Sequence, residues 1–277
     1  MGVSLVALRC RTADRFPGAP RGMEILAPLL GGALGVEPRF IGSAGEVRET
    51  RWEDDLTESR GCLLEAGGQI DDALSGGNTP VLLAADCAVA ASTLPAVARH
   101  RPDARILWLD GHGDYNTPDT SGSGYLGGMC LSAATGEWDA GLGADAVQAD
   151  QVVLAGVRDL DPGERALLER SSATVIGASP VETLVALKNA LEGAPVFVHL
   201  DLDVIDPEHF PAAVPAPGGL HPDKLYDLVD SVLEDSELVG LEITNFDAPD
   251  DEEARAVATE TAMHVLEPVL EHLSEPS

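Results

Sequence analysis

Positive charge is scarce in this chain. It carries 17 Lys and Arg against 47 Asp and Glu, a formal net charge of −30 over 277 residues. Nucleic acid and anionic membrane surfaces both bind through clustered Lys and Arg, so neither is an expected partner. The acidic surplus reads as a solvated, highly soluble surface. Cysteine is scarce too. Cys10, Cys62, Cys87 and Cys130 show no CxxC spacing and no dense framework, which argues against a zinc ribbon or a disulfide scaffold and for a reducing, cytoplasmic setting. The opening Met1-Gly2-Val3-Ser4-Leu5 lacks the basic region and long apolar stretch of a secretory signal. No apolar run is long enough to span a bilayer. Internal repeats, low-complexity segments and linkers are also missing, so residues 1–277 are expected to form one domain.

What the chain does have is alternation. Short apolar runs at residues 3–8, 80–85, 106–109, 151–157, 173–176, 196–200 and 238–243 read as strands. Amphipathic stretches at 23–34, 46–74, 88–99, 162–170, 180–191, 222–235 and 251–273 read as helices, with Gly61 a weak point in the second. Continuous apolar strands separated by helices predict an α/β fold with a parallel sheet covered on both faces. Ligands of such sheets bind outside the carboxyl ends of the strands. The segment 115–128, rich in Gly, Ser, Thr and Pro, is too long for a mere connector and is expected to be functional.

Two acidic clusters stand at such strand ends. Asp110-Gly111-His112-Gly113-Asp114 follows Ile106-Leu107-Trp108-Leu109, and Asp201-Leu202-Asp203 follows Val196-Phe197-Val198-His199-Leu200. The acids of each cluster alternate, so an extended strand end would turn them to one side. Burying four carboxylates and an imidazole there is very costly unless cations neutralise them. Two divalent metals sharing the carboxylates would do so, which points to a two-metal hydrolase.

With Ala84-Ala85-Asp86-Cys87 before these clusters and Val204-Ile205-Asp206-Pro207 completing the second, the chain resembles the ureohydrolase superfamily of arginases, agmatinases and formiminoglutamases. The resemblance implies a three-layer α/β sandwich on a parallel eight-stranded sheet and a cofactor of two Mn2+ ions. One metal would be held by Cys87, Asp110, Asp114 and Asp201, the other by His112, Asp110, Asp201 and Asp203. A hydroxide between them would attack a guanidino carbon, and Asp114 would pass its proton to the leaving amine. For the substrate, a small guanidino amino acid, the resemblance assigns Asp161 to the α-amino group and Asn116 and Ser123 to the α-carboxylate. It assigns Glu242 to the guanidinium. Asp161 also suits an N-cap, with Pro162 at the first helical position.

The chain departs from the family pattern in three places. Cys87 stands where the family has a metal-binding His. A thiolate there makes the metal a poorer Lewis acid and suits zinc or iron better than manganese. Gly127 stands where arginases have a His assigned to proton shuttling, and its loss is expected to open space beside the guanidine terminus. The hydroxyl-rich turn after the second acidic cluster reads Pro211-Ala212-Ala213-Val214-Pro215. Together these features resemble the branch, linked to D-cycloserine biosynthesis, that hydrolyses Nω-hydroxy-L-arginine to L-ornithine and hydroxyurea. An N-hydroxyguanidine is less basic than arginine's guanidinium, so more of it is neutral. L-arginase or another guanidino-acid hydrolase is the near alternative, and a non-catalytic binding protein of the same fold a more distant one. Of the other histidines, His100, His264 and His272 fall on helices and read as surface residues, and His209 and His221 lie in loops that could line the site. His199 reads as a satisfied core group ahead of support for the metal cluster. Monomer and homo-oligomer are both compatible with the sequence.

Overall fold

The computed structural model describes residues 2–143, 145–178 and 180–274. Among them, eight strands form one sheet in which every hydrogen-bonded neighbour is parallel. The strands are β1 (Gly2–Leu8), β2 (Arg39–Ile41), β3 (Asn78–Leu83), β4 (Arg105–Leu109), β5 (Val152–Val157), β6 (Thr174–Gly177), β7 (Val196–Asp201) and β8 (Leu238–Thr244). Their order is β2-β1-β3-β8-β7-β4-β5-β6. Every residue of β5, β7 and β8 is buried, as strands enclosed on both faces require. The strand absent from the sequence reading is β2. Its three residues, Arg39, Phe40 and Ile41, sit at the sheet edge and are too few to show a period.

Two apolar layers sandwich the sheet. Helices α1 (Gly18–Leu34), α6 (Pro180–Leu191), α7 (Pro222–Leu233) and α8 (Glu252–Ser274) cover one face, with Leu26, Leu187, Leu228 and Val265 in the core. Helices α2 (Trp52–Ser75), α3 (Ala90–His100), α4 (Cys130–Ala134) and α5 (Pro162–Leu168) cover the other, with Leu63, Leu94, Leu131 and Leu167. In α7 the buried Leu225, Leu228, Val229 and Val232 follow the i, i+3, i+4, i+7 spacing of one helix face, and Pro222 begins the helix after the N-cap His221.

The start of α2 differs from the sequence reading. Residues 46–51 are not helical, because Arg11 donates to the Arg48 carbonyl (3.0 Å) and Arg15 to the Thr50 carbonyl (2.6 Å), tying that segment to the loop after β1. The cysteine reading is also corrected, since Cys10 and Cys62 form a disulfide. They are 52 residues apart, and only the packing of α2 beside the end of β1 brings them together, so spacing carried no sign of it. No helix among the described residues is long and apolar enough to cross a membrane.

The register of the four central strands decides where the chemistry sits. Leu83 of β3, Ile243 of β8, Leu200 of β7 and Leu109 of β4 are aligned across the sheet. The residues beyond this row are therefore brought level with one another: Asp201 beside Thr244, with Asp110 one position past Leu109. The row on the other side of it is Leu82, Glu242, His199 and Trp108.

Helix α1 packs against the segment that leaves β8. A Cβ built on Gly22 would stand 2.1 Å from the Phe246 carbonyl oxygen, so nothing larger than glycine fits there without moving that segment. Gly22→Ala is expected to cost about 1–3 kcal/mol by overpacking. The urea midpoint should fall with an unchanged slope, and an unaltered midpoint would contradict this close approach.

Candidate active site

Each acidic cluster is shaped by the same local turn. Asp110 Oδ1 accepts the backbone N–H of His112 at 2.7 Å, and Asp201 Oδ1 accepts that of Asp203 at 2.7 Å. The i, i+2 spacing is thus the spacing of an Asx turn. Strand alternation is not what gathers these acids, because the chain leaves the sheet at once. β7 runs into a 3-10 turn at Leu202–Val204, and Asp114 has a φ of 48°. A second set of bonds joins the clusters: the Gly111 N–H donates to Asp203 Oδ1 at 2.8 Å, and His112 Nδ1 lies 2.8 Å from Asp203 Oδ2. Trp108 donates its indole N–H to Asp110 Oδ2 at 2.9 Å from inside the sheet.

The end of β3 adds Cys87. Its thiol donates to Asp201 Oδ2 at 2.8 Å and lies 3.0 Å from the Thr244 hydroxyl. The Asn245 side-chain amide donates to the same Asp201 oxygen, in a short contact, and to Cys87 Sγ at 3.3 Å. Asn245 adopts a φ of 63°, a left-handed conformation that asparagine tolerates better than most residues.

A cavity of about 230 Å3 opens above this nest. Cys87, His112, Asp114, Asn116, Ser123, Asp161, Asp201 and Asp203, all singled out from the sequence, line it. Asp110 is fully buried behind them. Asn116 donates to Asp161 Oδ2 at 3.1 Å. Asp161 is the N-cap of α5, with Pro162 as the first helical residue. Glu164 reaches back to the Asp161 N–H and also accepts the Tyr115 N–H at 2.8 Å, joining α5 to the loop of the first cluster. A more open hollow of about 730 Å3 beside Cys10 and Cys62 shares no lining residue with this cavity.

Three expectations are corrected. Glu242 does not line the cavity. It is fully buried in the row beneath the nest and accepts from or faces His199 Nδ1 at 2.8 Å. The residue of this segment that does reach the cavity is Asn245, three positions on. Gly127 lines the cavity, but the space at its Cβ position is not free. A Cβ built on it would stand 2.8 Å from the ring of Tyr125, so that ring occupies the room, with its hydroxyl donating to Asp86 in a short contact. His209 and His221 face each other with ring centroids 4.5 Å apart and are not among the lining residues, whereas Val214 of the altered turn is.

Electrostatics follow from burial. Desolvation, helped by Asp203, pushes Asp110 up to about 6. Asp114, Asp201 and Asp203 are raised by the same desolvation and by one another's charge. Burial pushes the Cys87 thiol well up, with Asp201 adding to the effect. For His112, burial disfavours the imidazolium, but Asp110 and Asp203 outweigh it and push it up to about 12. The nest is thus strongly attractive to positive charge.

Its atoms also suit cations. Among the described residues Asn245 Oδ1 is buried without a hydrogen-bond partner and Asp203 Oδ2 has only the His112 ring beside it, and one donor atom each from Asp110, His112 and Asp203 lies within 4.8 Å of the others. Arg158 keeps the surrounding loops in place. Its guanidinium donates to the carbonyls of Ala216 (2.8 Å) and Asp203, and its N–H to Gly111 O at 2.9 Å, so one side chain and its amide join the loops after β4, β5 and β7.

Sequence reasoning missed Asn245, Tyr125, Glu164 and Arg158. The signals were present for two of them. Glu164 stands three residues after an Asp-Pro helix start, the capping-box position, and Arg158 lies directly after a buried strand in a chain poor in positive charge.

A model of the arginase family matches residues 44–270. The chain is 34% identical to an N(omega)-hydroxy-L-arginine amidinohydrolase of Streptomyces lavendulae over 269 residues, which is 97% of this chain and 97% of the relative. It is 32% identical to an arginase of Brevibacillus brevis, covering 76% of each chain. The crystal structure of an arginase from Bacillus cereus superposes with a TM-score of 0.80 at 25% identity, covering 96% of this chain and 97% of the other. With its parallel eight-stranded sheet, its acidic nest and these likenesses along nearly its whole length, the chain belongs to the arginase family of hydrolases.

Proposed function

We propose that this protein hydrolyses the guanidino group of Nω-hydroxy-L-arginine, giving L-ornithine and hydroxyurea, with two Mn2+ ions in the acidic nest. The observation that carries the substrate choice is Cys87, a thiol set 2.8 Å from Asp201 in a nest otherwise built of carboxylates and one imidazole. Full-length similarity to a hydroxyarginine amidinohydrolase supports the same choice. L-Arginine hydrolysis is the second reading, supported by the likeness to the Brevibacillus brevis arginase.

Divalent cations, held by Cys87, Asp110, Asp114 and Asp201 and by His112, Asp110, Asp201 and Asp203, would supply Lewis acidity and a water of lowered pKa. The chain's own residues do the rest. Asp161 and Asn116, already bonded to each other, and Ser123 at the cavity mouth hold the amino-acid head group. Asn245, which lines the cavity, offers its side-chain amide to the guanidino end, the part assigned to Glu242 from sequence. Tyr125, anchored on Asp86, walls that end and keeps bulk water out. Water adds to the guanidino carbon, and the bond from that carbon to the ornithine nitrogen breaks. Asp114, which lines the cavity beside the nest, carries the proton from the water to the leaving nitrogen.

Ornithine release from the two substrates, measured side by side on manganese-loaded protein, tests the reading. Strong preference for the hydroxylated substrate is expected. Preference for arginine would favour the second reading, and no ornithine from either would favour a non-catalytic role. Cys87→His should move the ratio toward arginine. Asn245→Ala should lower kcat/KM by about ten- to a hundredfold, the loss of one buried hydrogen bond of about 1–3 kcal/mol.

Cation binding predicts a stability signature. Asp110 is raised from 3.8 to about 6, so its contribution is present below about pH 4 and is lost as pH rises through about 6. The metal-free protein should therefore melt at a lower temperature at pH 7.5 than at pH 5.5. Added Mn2+ should raise the melting temperature more at the higher pH. A manganese effect of equal size at both would speak against these carboxylates as the ligands.

A further inference from the structure

The row beneath the nest contains an imidazole with nothing to do. His199 is fully buried, and its Nδ1 is committed to Glu242 Oε1 at 2.8 Å. Its Nε2 is buried with no hydrogen-bond partner among the described residues. The ring cannot swing away to find one, because it is stacked on Trp108 with centroids 3.5 Å apart and planes 2° from parallel. Trp108 in turn is tied through its indole N–H to Asp110. A ring nitrogen of His199, Cys87 Sγ and an Asp110 carboxylate oxygen all lie within 4.8 Å of one another. One strand and the turns that follow two others thus bring together one nitrogen, one sulfur and one oxygen donor from three buried residues.

We propose that His199 is a nitrogen ligand of the cation held by Cys87 and Asp110, with Glu242 accepting its Nδ1–H and so turning Nε2 to the metal. This rests on the two-cation reading above. A carboxylate behind a metal-bound imidazole fixes the tautomer and the ring orientation and raises the basicity of the donor nitrogen. It also accounts for Glu242, a buried carboxylate with no Lys or Arg partner among the described residues, whose charge a cation on the far side of the ring would offset. The consequence is that the two cation positions differ in kind. The one at His112, Asp203 and the shared aspartates is oxygen-rich. The one at Cys87 and His199 is softer and favours zinc, iron or cobalt over manganese.

The test is Co2+ titration of the metal-free full-length protein and of the His199→Gln and Glu242→Gln variants, read by calorimetric stoichiometry and by the visible and thiolate charge-transfer absorption. The native protein should bind two Co2+, one of them with a thiolate band. His199→Gln should weaken that ion by about ten- to a hundredfold and alter its visible spectrum while leaving the other ion unchanged. Glu242→Gln, which keeps the shape of the core, should shift the same ion in the same direction by less, and it carries the test if His199→Gln does not fold. Native affinities and spectra in the folded variants would overturn the assignment and leave the proposed function standing. Equal weakening of both ions would overturn it too, since His199 would then be supporting the nest at large. A native protein that binds no Co2+ would remove the two-cation reading and this inference together.

Discussion

Four carboxylates held within reach of one another, out of water, repel each other and lose hydration at the same time. Nothing in an apolar core would keep them there unaided. The molecule holds them by geometry: strands β3, β8, β7 and β4 end in register, and an Asx turn caps each acidic strand end. Arg158 then spends its donors on backbone carbonyls of the loops around the nest, leaving the acids free for something else. The strain stored in this arrangement is what makes the site a receptor for cations, because a divalent ion removes the repulsion that the fold imposes.

The positions of the acids were legible because apolar runs ending in DxHxD and DxD are both strand ends and turn signals. The reason they converge was not, since alternation along a strand and an Asx turn share the same spacing. Glu242 and Asn245 show the limit most clearly. Both lie at the end of one apolar strand, and which of them reaches the cavity depends on the register of β8 against β7, a long-range fact. The same holds for Cys10 and Cys62, brought together by packing, and for β2, three residues that pair only because β1 offers an edge.

Cys87 and His199 reach the nest from different elements. The thiol arrives from the turn after β3 and the imidazole from the middle of β7, two residues before Asp201. Neither is remarkable by position alone: a buried cysteine is common and a core histidine usually finds partners. What links them is the unmade hydrogen bond at Nε2, one of several buried polar atoms left without a partner among the described residues, together with the closeness of the ring to Cys87 Sγ and Asp110.

The contact between Tyr125 and Gly127 bears on how this pocket can be altered. The tyrosine ring and any side chain at residue 127 compete for one volume, so the two positions cannot be altered independently. A larger side chain at 127 would have to displace the ring of Tyr125, and a smaller one at 125 would leave a hollow beside Gly127. The volume of residue 127 is thus set by the aromatic ring two positions before it, which is itself fixed through its hydroxyl to Asp86.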